Sequence, residues 1–252
     1  MYGLFVLIPP EREIPEEKLM KLCQQERALF VQIESYSLEE KRFSQKWKYF
    51  SPGYKKFITP YTVTLDLTQD QNTLFKSFHK KCQYHIRLAE RKVRVEKVKK
   101  TKENIEIFFD LVQKTTLRNG FHGNSHTYYT TFLETIPESE LFFVFFEEKV
   151  ICAAIFVSCA DTYIYYYGAS DRAYASVMPY ALQWYSITHA MQQRTRYDFM
   201  GIATPGDSKS TLLVTQFKKR FSEKEICCSQ SMIWIRNRLL YFIISQLRKL
   251  KK

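Results

Sequence analysis

The chain has 252 residues, enough for one large domain or two small ones. Hydrophobic residues make up 45%, which supports a substantial core and excludes a disordered chain, and 7 glycines exclude a Gly-rich linker or phosphate-loop protein. Lys and Arg total 38 against 26 Asp and Glu, a net charge of +12, which favours a polyanionic partner such as nucleic acid or an anionic membrane surface. Solubility alone is the plainer reading of that charge.

In chain order, residues 3–8 (GLFVLI) read as a buried strand stopped by Pro9 and Pro10. No basic leader precedes this short apolar run, so it is not expected to act as a signal peptide, and no run reaches membrane-spanning length. Residues 15–26 predict a helix with Leu19, Leu22 and Cys23 on one side, and 28–33 a second strand. The polar, aromatic stretch 35–60 gives no legible element. Residues 61–67 (YTVTLDL) alternate as a strand should, and Thr68 with Gln71 matches a capping box. A helix is expected from there to about Lys81, then a basic helix from about Tyr84 to Lys92.

Residues 93–98 read as a strand, and 103–117 as a helix with an apolar stripe of Ile105, Phe108, Phe109 and Val112. After a short helix near 127–135 come three strands, 141–146, 150–158 and 162–167, the first pair joined by a turn at Glu147-Glu148-Lys149. Strand alternation puts Tyr165 and Tyr167 on one sheet face, opposite Tyr166. A helix over 177–193, a short strand over 197–200, a helix near 209–220, strand over 224–235 and a basic amphipathic helix to Lys252 complete the chain.

The six cysteines include no CxxC pair, and several sit in apolar runs, as in Ile151-Cys152-Ala153-Ala154-Ile155. Neither they nor the five histidines show metal-ligand spacing, and no Ser–His–Asp order stands out. A reducing cytoplasm fits this usage, with the inner face of the plasma membrane as a variant.

From residue 93 onward the order of elements resembles an N-acetyltransferase-like (GNAT) domain, and the segments before it resemble the later part of the same pattern. The expected fold class is α/β (α+β): tandem GNAT-like acyltransferase domains, the first truncated, plus a C-terminal amphipathic helix. The corresponding boundaries are 1–92, 93–234, and 235–252 for a helix packing back on the first domain.

Six short motifs then occur in one register: Thr64-Leu65-Asp66-Leu67 with Tyr84-His85-Ile86-Arg87-Leu88-Ala89-Glu90-Arg91-Lys92; Arg118-Asn119-Gly120-Phe121; Tyr167-Gly168-Ala169-Ser170; Met178-Pro179 with Gln183-Trp184; Tyr197-Asp198-Phe199-Met200-Gly201-Ile202; and Phe217-Lys218-Lys219-Arg220-Phe221. Together they resemble the Fem family (FemABX), the aminoacyltransferases that build peptidoglycan side branches. Gln83, His85 and Ser222 depart from the family pattern. Leu7-Ile8-Pro9-Pro10 resembles a stretch that lies well inside the family's first domain, so the resemblance implies that the amino-terminal part of that domain is lacking.

The resemblance implies transfer of an amino acid from aminoacyl-tRNA to the stem peptide of a UDP-linked or lipid-linked muramyl pentapeptide. No cofactor is implied, because the ester is already activated. Such an enzyme must hold an amine near the ester carbonyl, stabilise the oxyanion and help a proton leave. By resemblance Lys218 is the catalytic residue, beside the tRNA end and the reacting ester; the plain alternative is a solvated charge in a basic run. Phe217 would stack on the terminal adenine or belong to the core. Lys219 and Arg220 would meet the tRNA, as would the basic stripe Lys80, Lys81, Arg87, Arg91, Lys92 and Arg94. Arg118 would bind the precursor diphosphate, or serve as a helix-end arginine favoured by the dipole. Tyr167 and Glu13 are the remaining precursor-binding candidates, with Glu11 an alternative to Glu13. Asp198 reads first as a buried, hydrogen-bonded structural residue.

Two rivals stand beside this reading. An acyl-CoA N-acetyltransferase would carry a glycine-rich pyrophosphate turn, and residues 168–176 lack its second glycine and contain Asp171. A non-catalytic tRNA- or membrane-binding remnant of a Fem-type enzyme is the other. The last helix (Trp234, Leu239, Leu240, Phe242 and Ile243 among arginines) is expected to pack on the first domain, with a membrane surface as the alternative.

Overall fold

The computed structural model describes residues 3–9, 11–39, 41–53, 57–120, 123–171, 178–204 and 206–250. The elements run β1 (Leu4–Leu7), α1 (Glu16–Gln25), β2 (Phe30–Tyr36), β3 (Ser51–Pro52), β4 (Tyr61–Asp66), α2 (Gln71–Ser77), α3 (Lys80–Glu90) and β5 (Arg94–Val98). There follow α4 (Lys102–Asn119), α5 (His126–Thr135), β6 (Ser139–Phe146), β7 (Lys149–Cys159), β8 (Thr162–Ser170) and α6 (Met178–Met191). The chain ends with β9 (Arg196–Asp198), α7 (Lys209–Lys219), β10 (Glu225–Cys227), β11 (Ser229–Ile235) and α8 (Arg238–Leu250).

They form two compact units, Met1–Thr62 with Ile226–Lys252, and Val63–Glu225. The chain therefore leaves the first unit within β4 and returns to it within β10. This differs from a boundary after Lys92, and the reason is packing. Leu74 of α2, Phe78 between the two helices, and Cys82, Ile86 and Ala89 of α3 are buried in one core with Phe156, Trp184 and Tyr197 of the second unit.

In the first unit the sheet order is β1-β2-β11-β3, with β1 parallel and β11 antiparallel to β2. The strand nearest the carboxyl terminus thus completes a sheet begun by the amino-terminal strands, a long-range pairing that no local pattern announces. Cys23 of α1 packs with Val31, Ile33 and Phe50 beneath it. Two buried carboxylates anchor the stretch without legible elements. Glu16 accepts from the Lys48 and Tyr49 amides (2.9 and 2.7 Å), and Glu34 from those of Phe57 and Ile58 (2.7 and 2.8 Å). Charge-assisted bonds of this kind hold irregular backbone that has no sheet partner.

In the second unit seven strands are ordered β10-β4-β9-β8-β7-β6-β5. β8 and β9 pair in parallel, whereas β4–β9, β8–β7, β7–β6 and β6–β5 are antiparallel. Alternation along the central strands feeds two cores. Phe142, Val144, Cys152, Ala154 and Phe156 meet α2, α3 and α6, while Leu141, Phe143, Ala153 and Ile155 meet α4 and α5. Burying one such Phe contributes about 2–3 kcal/mol.

The capping box at Thr68 does not form. Asp70 is the N-cap of α2, accepting from Asn72 and Thr73 N–H at 3.0 Å, and Thr68 instead donates its hydroxyl to Asp66. An ionised carboxylate at the positive helix end is the stronger cap, so the helix starts two residues later. Strand alternation also fails at the three tyrosines of β8. Ile155 pairs with Tyr167 and Phe156 with Tyr165, which leaves Tyr166 as the unpaired residue of a bulge. Tyr165 consequently joins the α6 core, and Tyr166 and Tyr167 both join the α4–α5 core.

Candidate active site

β8 and β9 pair only from Thr162↔Arg196 to Ile164↔Asp198. Beyond that point β9 ends, β8 continues to Ser170, and the two parallel strands part at their carboxyl ends. Openings of this kind are where α/β sheets receive ligands. Tyr165 is the first residue of β8 past the paired segment. A Cβ at residue 168 would fall 1.7 Å from the Tyr165 hydroxyl, so only glycine leaves that ring its place.

The other lip of the opening is the turn after β9. Asp198 is fully buried, and its Oδ1 accepts from the Met200 amide at 2.8 Å. This bond holds Met200 in the left-handed region (φ 56°), an uncommon conformation for a residue with a side chain. α7, capped by Ser208, lies against the same turn with Thr215 and Lys218 as its buried stripe. Thr215 Oγ1 accepts from the Ala203 amide at 2.7 Å, and Lys218 Nζ donates to the Met200 and Gly201 carbonyls at 2.5 and 2.7 Å.

Lys218 is only 7% exposed, so it is not a solvated charge. Burial pushes its pKa down to about 8, while the Asp198 carboxylate works in the opposite direction. An ammonium has three donors. Two go to carbonyls, and among the described residues no third acceptor is seen. The result is a desolvated cation held by backbone carbonyls, which gives up its proton as pH rises through about 8.

Phe217 is half-buried, edge-on to Tyr180 (4.8 Å between centroids) and to Phe221 (5.5 Å). It is partly core, with the rest of its ring open to a stacking partner. Arg220 donates to the Tyr180 hydroxyl, and His85 of α3 packs its ring on Tyr180 at 5.0 Å. Next to it Tyr84 is 62% exposed. Burial, then Arg220 and Lys81, push the His85 pKa below its ordinary value, so its ring stays neutral at physiological pH. Lys219 pairs with Glu225, and Lys219 and Arg220 line a cavity of about 460 Å³ with Asp66, His79 and Lys224. Lys218 and Phe217 do not line that cavity.

Arg118 and Tyr167 both lie on the α4 side of β8, on the sheet face opposite the core against which Phe217 packs. Arg118, in the last turn of α4 before Gly120 (φ 67°), donates to the Ser170 carbonyl at 2.7 Å. Thr115 also bonds Ser170, through both its amide and its carbonyl. The Tyr167 hydroxyl meets those of Tyr128 (2.9 Å) and the Asn124 amide (3.3 Å). Burial first, then Tyr128, raise its pKa, so it remains a neutral phenol. Glu13 is exposed in the loop between β1 and α1 and belongs to the other compact unit. Phe121 and residues 172–177, which include most of the stretch compared with the pyrophosphate turn, lie outside the described residues. Among the described residues, no cluster of His, Cys, Asp or Glu could hold a metal ion.

Sequence reasoning without the resemblance misses Lys218, because Lys218-Lys219-Arg220 looks like one solvated run. The usable signal was position: Lys218 lies one turn from Thr215, and these two are the buried residues of α7.

The sequence pattern of the FemAB family matches residues 37–147 and 145–247. The chain belongs to the FemAB family. It is therefore an acyl- or aminoacyltransferase, and its tandem GNAT-like fold is the family's. Among solved structures, FemX is similar at 18% identity with a TM-score of 0.70, covering 91% of this chain and 77% of that one. L-PGS from Bacillus licheniformis follows at 13% identity and a TM-score of 0.58, over 93% of this chain and 77% of its own. The C-terminal domain of a putative lysylphosphatidylglycerol synthetase from Agrobacterium fabrum gives 8% and 0.60, over 97% and 80%. At these identities the likeness is one of fold. No curated protein sequence matches. Among the described residues no helix is long and apolar enough to cross a membrane.

Proposed function

We propose that this FemAB protein transfers an amino acid from aminoacyl-tRNA to the stem-peptide amine of a muramyl pentapeptide precursor. The observation that carries the proposal is Lys218: a buried ammonium held by the Met200 and Gly201 carbonyls of the turn after β9, with no third acceptor among the described residues. The amine attacks the ester carbonyl, forming a carbon–nitrogen bond and a tetrahedral oxyanion. Collapse breaks the bond to the ribose 3′-oxygen, which leaves as a hydroxyl after taking a proton; the attacking amine loses one. Lys218 stabilises the oxyanion, or supplies the proton that the 3′-oxygen takes. Either role is favoured by a low-dielectric site whose dipoles are already in place.

In this reading the tRNA end approaches over α3, α6 and α7. Phe217 and Tyr84 offer ring faces for unpaired bases, and Lys81, Lys219 and Arg220 offer cations to phosphates. The precursor is assigned to the α4 side, against Tyr167 and Arg118. The work is done on the cytoplasmic side of the membrane, where aminoacyl-tRNA is found.

Transfer of radiolabelled amino acid from tRNA to UDP-linked and lipid-linked muramyl pentapeptide tests the proposal. Phosphatidylglycerol serves as a third acceptor and acetyl-CoA as an alternative donor. Label on a pentapeptide supports the reading. Label on phosphatidylglycerol alone, or transfer from acetyl-CoA alone, overturns it.

A further inference from the structure

The last element of the first unit leaves its most apolar arc uncovered. α8 turns Leu240, Tyr241 and Ile244 partly inward, and the Tyr241 ring sits edge-on to Phe30 of β2 at 5.4 Å. Its other side presents Leu239 (71% exposed), Phe242 (59%), Ile243 (45%) and Leu247 (54%). Residues 239, 243 and 247 are one turn apart and Phe242 lies beside them, so these four form a single stripe. Scattered exposed apolar residues are ordinary, but a contiguous stripe along three turns of helix is not.

Charge decides what such a stripe can meet. No Asp or Glu follows Glu225, whereas Arg236, Arg238, Arg248, Lys249, Lys251 and Lys252 do. Arg236 and Arg238, at the start of the helix, are exposed. A second copy of the chain would place two such basic segments against each other. An anionic lipid surface instead offers hydrocarbon to the stripe and phosphate to the arginines, the two features that hold interfacial helices on a bilayer.

We infer that α8 lies in the interface of a membrane rich in anionic phospholipid, with Leu239, Phe242, Ile243 and Leu247 inserted and Arg236 and Arg238 among the headgroups. The inference does not depend on which acyl acceptor the protein uses. The lipid is bound here as a surface and undergoes no chemistry.

Co-sedimentation of the full chain with vesicles tests it, using phosphatidylcholine alone or mixed with phosphatidylglycerol. Binding to the mixed vesicles is expected, falling as salt rises, with little binding to the neutral ones. Leu239→Gln with Phe242→Gln should weaken it roughly tenfold or more, since the apolar insertion is lost. Arg236→Gln with Arg238→Gln should weaken it by about fivefold per charge and flatten the salt dependence. All four positions are exposed, so the thermal midpoint should not move. Equal binding to both vesicle types overturns the inference, as does indifference to both double variants. Light scattering that shows a dimer dissolved by Leu239→Gln and Phe242→Gln, without vesicle binding, would assign the stripe to a second copy instead.

Discussion

Asp198 and Lys218 grip the same residue from its two ends. The Asp198 carboxylate accepts from the Met200 amide at 2.8 Å, and the Lys218 ammonium donates to the Met200 carbonyl at 2.5 Å. A left-handed residue with a side chain is costly to hold, and here two buried charged groups hold it. The turn is thereby made rigid, and the lysine is aimed by the backbone it stabilises. In the proposed reaction, Lys218→Ala should lower transfer by about two to three orders of magnitude, as losing an oxyanion stabiliser does. Near-normal transfer by a folded Lys218→Ala variant would remove this residue from the mechanism.

The depressed pKa gives a pH signature. The working form of Lys218 is the cation, so transfer at saturating substrate should fall as pH rises through about 8. Asp198 supports that cation, so Asp198→Asn should move the falling limb to lower pH. Stability should respond in the opposite sense. Between about 8 and the unfolded lysine value, the unfolded chain binds the proton that the native chain has released, so this group makes the fold more stable as pH rises. A pH–rate profile beside thermal unfolding at the same pH values checks both signs.

The tRNA face makes a separate prediction. Binding of aminoacyl-tRNA should weaken steeply with salt, and CoA should not bind detectably. Lys219→Gln and Arg220→Gln should each reduce the salt slope by about one. Phe217→Ala and Tyr84→Ala should cost about 1–3 kcal/mol apiece with little change in slope, because rings stack on bases and not on phosphates. Filter binding across a salt series, with calorimetry for CoA, separates these effects. Tight CoA binding would favour an acetyltransferase.

The helix cap is a plain test of stability. Asp70→Ala should cost about 1 kcal/mol, since it strips two amide partners from the start of α2, and Thr68→Ala should cost less. Chemical denaturation of both variants would show which residue caps the helix.

Much of the fold was legible where the signal is local. The alternation of 61–67, the stripe through Ile105 and Phe108, and the three-strand meander all became the elements expected. Long-range pairings were not legible: nothing near Ser229 tells it to pair with Tyr36, and nothing in α2 or α3 says which unit they join. At the site, the motif run located Lys218, but its burial depends on a turn eighteen residues earlier. The tyrosines of β8 failed for a third reason. Alternation assumes every residue has a partner, and the unpaired Tyr166 breaks that assumption without leaving a mark in the sequence.

That bulge supplies the last prediction. Because Tyr166 is left out of the ladder, Tyr165 turns to the α6 core beside the strand opening, and its hydroxyl occupies the space a side chain at 168 would need. Gly168→Ala should therefore collide with the Tyr165 hydroxyl and either displace the ring or shift the strand, at about 1–3 kcal/mol. Tyr165→Phe removes the nearest colliding atom and so part of the clash, although Cζ and Cε2 of the ring still lie 2.6 and 3.0 Å from the new Cβ. Alone it should cost little, since among the described residues no hydrogen bond to that hydroxyl is seen. The double variant should then be more stable than the sum of the singles predicts, by a coupling of about 1 kcal/mol or more. Transfer separates packing from chemistry. If the Tyr165 ring only walls the opening, activity should return with stability in the double variant. If its hydroxyl contacts the substrates, Tyr165→Phe should lose activity whatever occupies residue 168. Purely additive stabilities would mean that Gly168 and Tyr165 do not share this space.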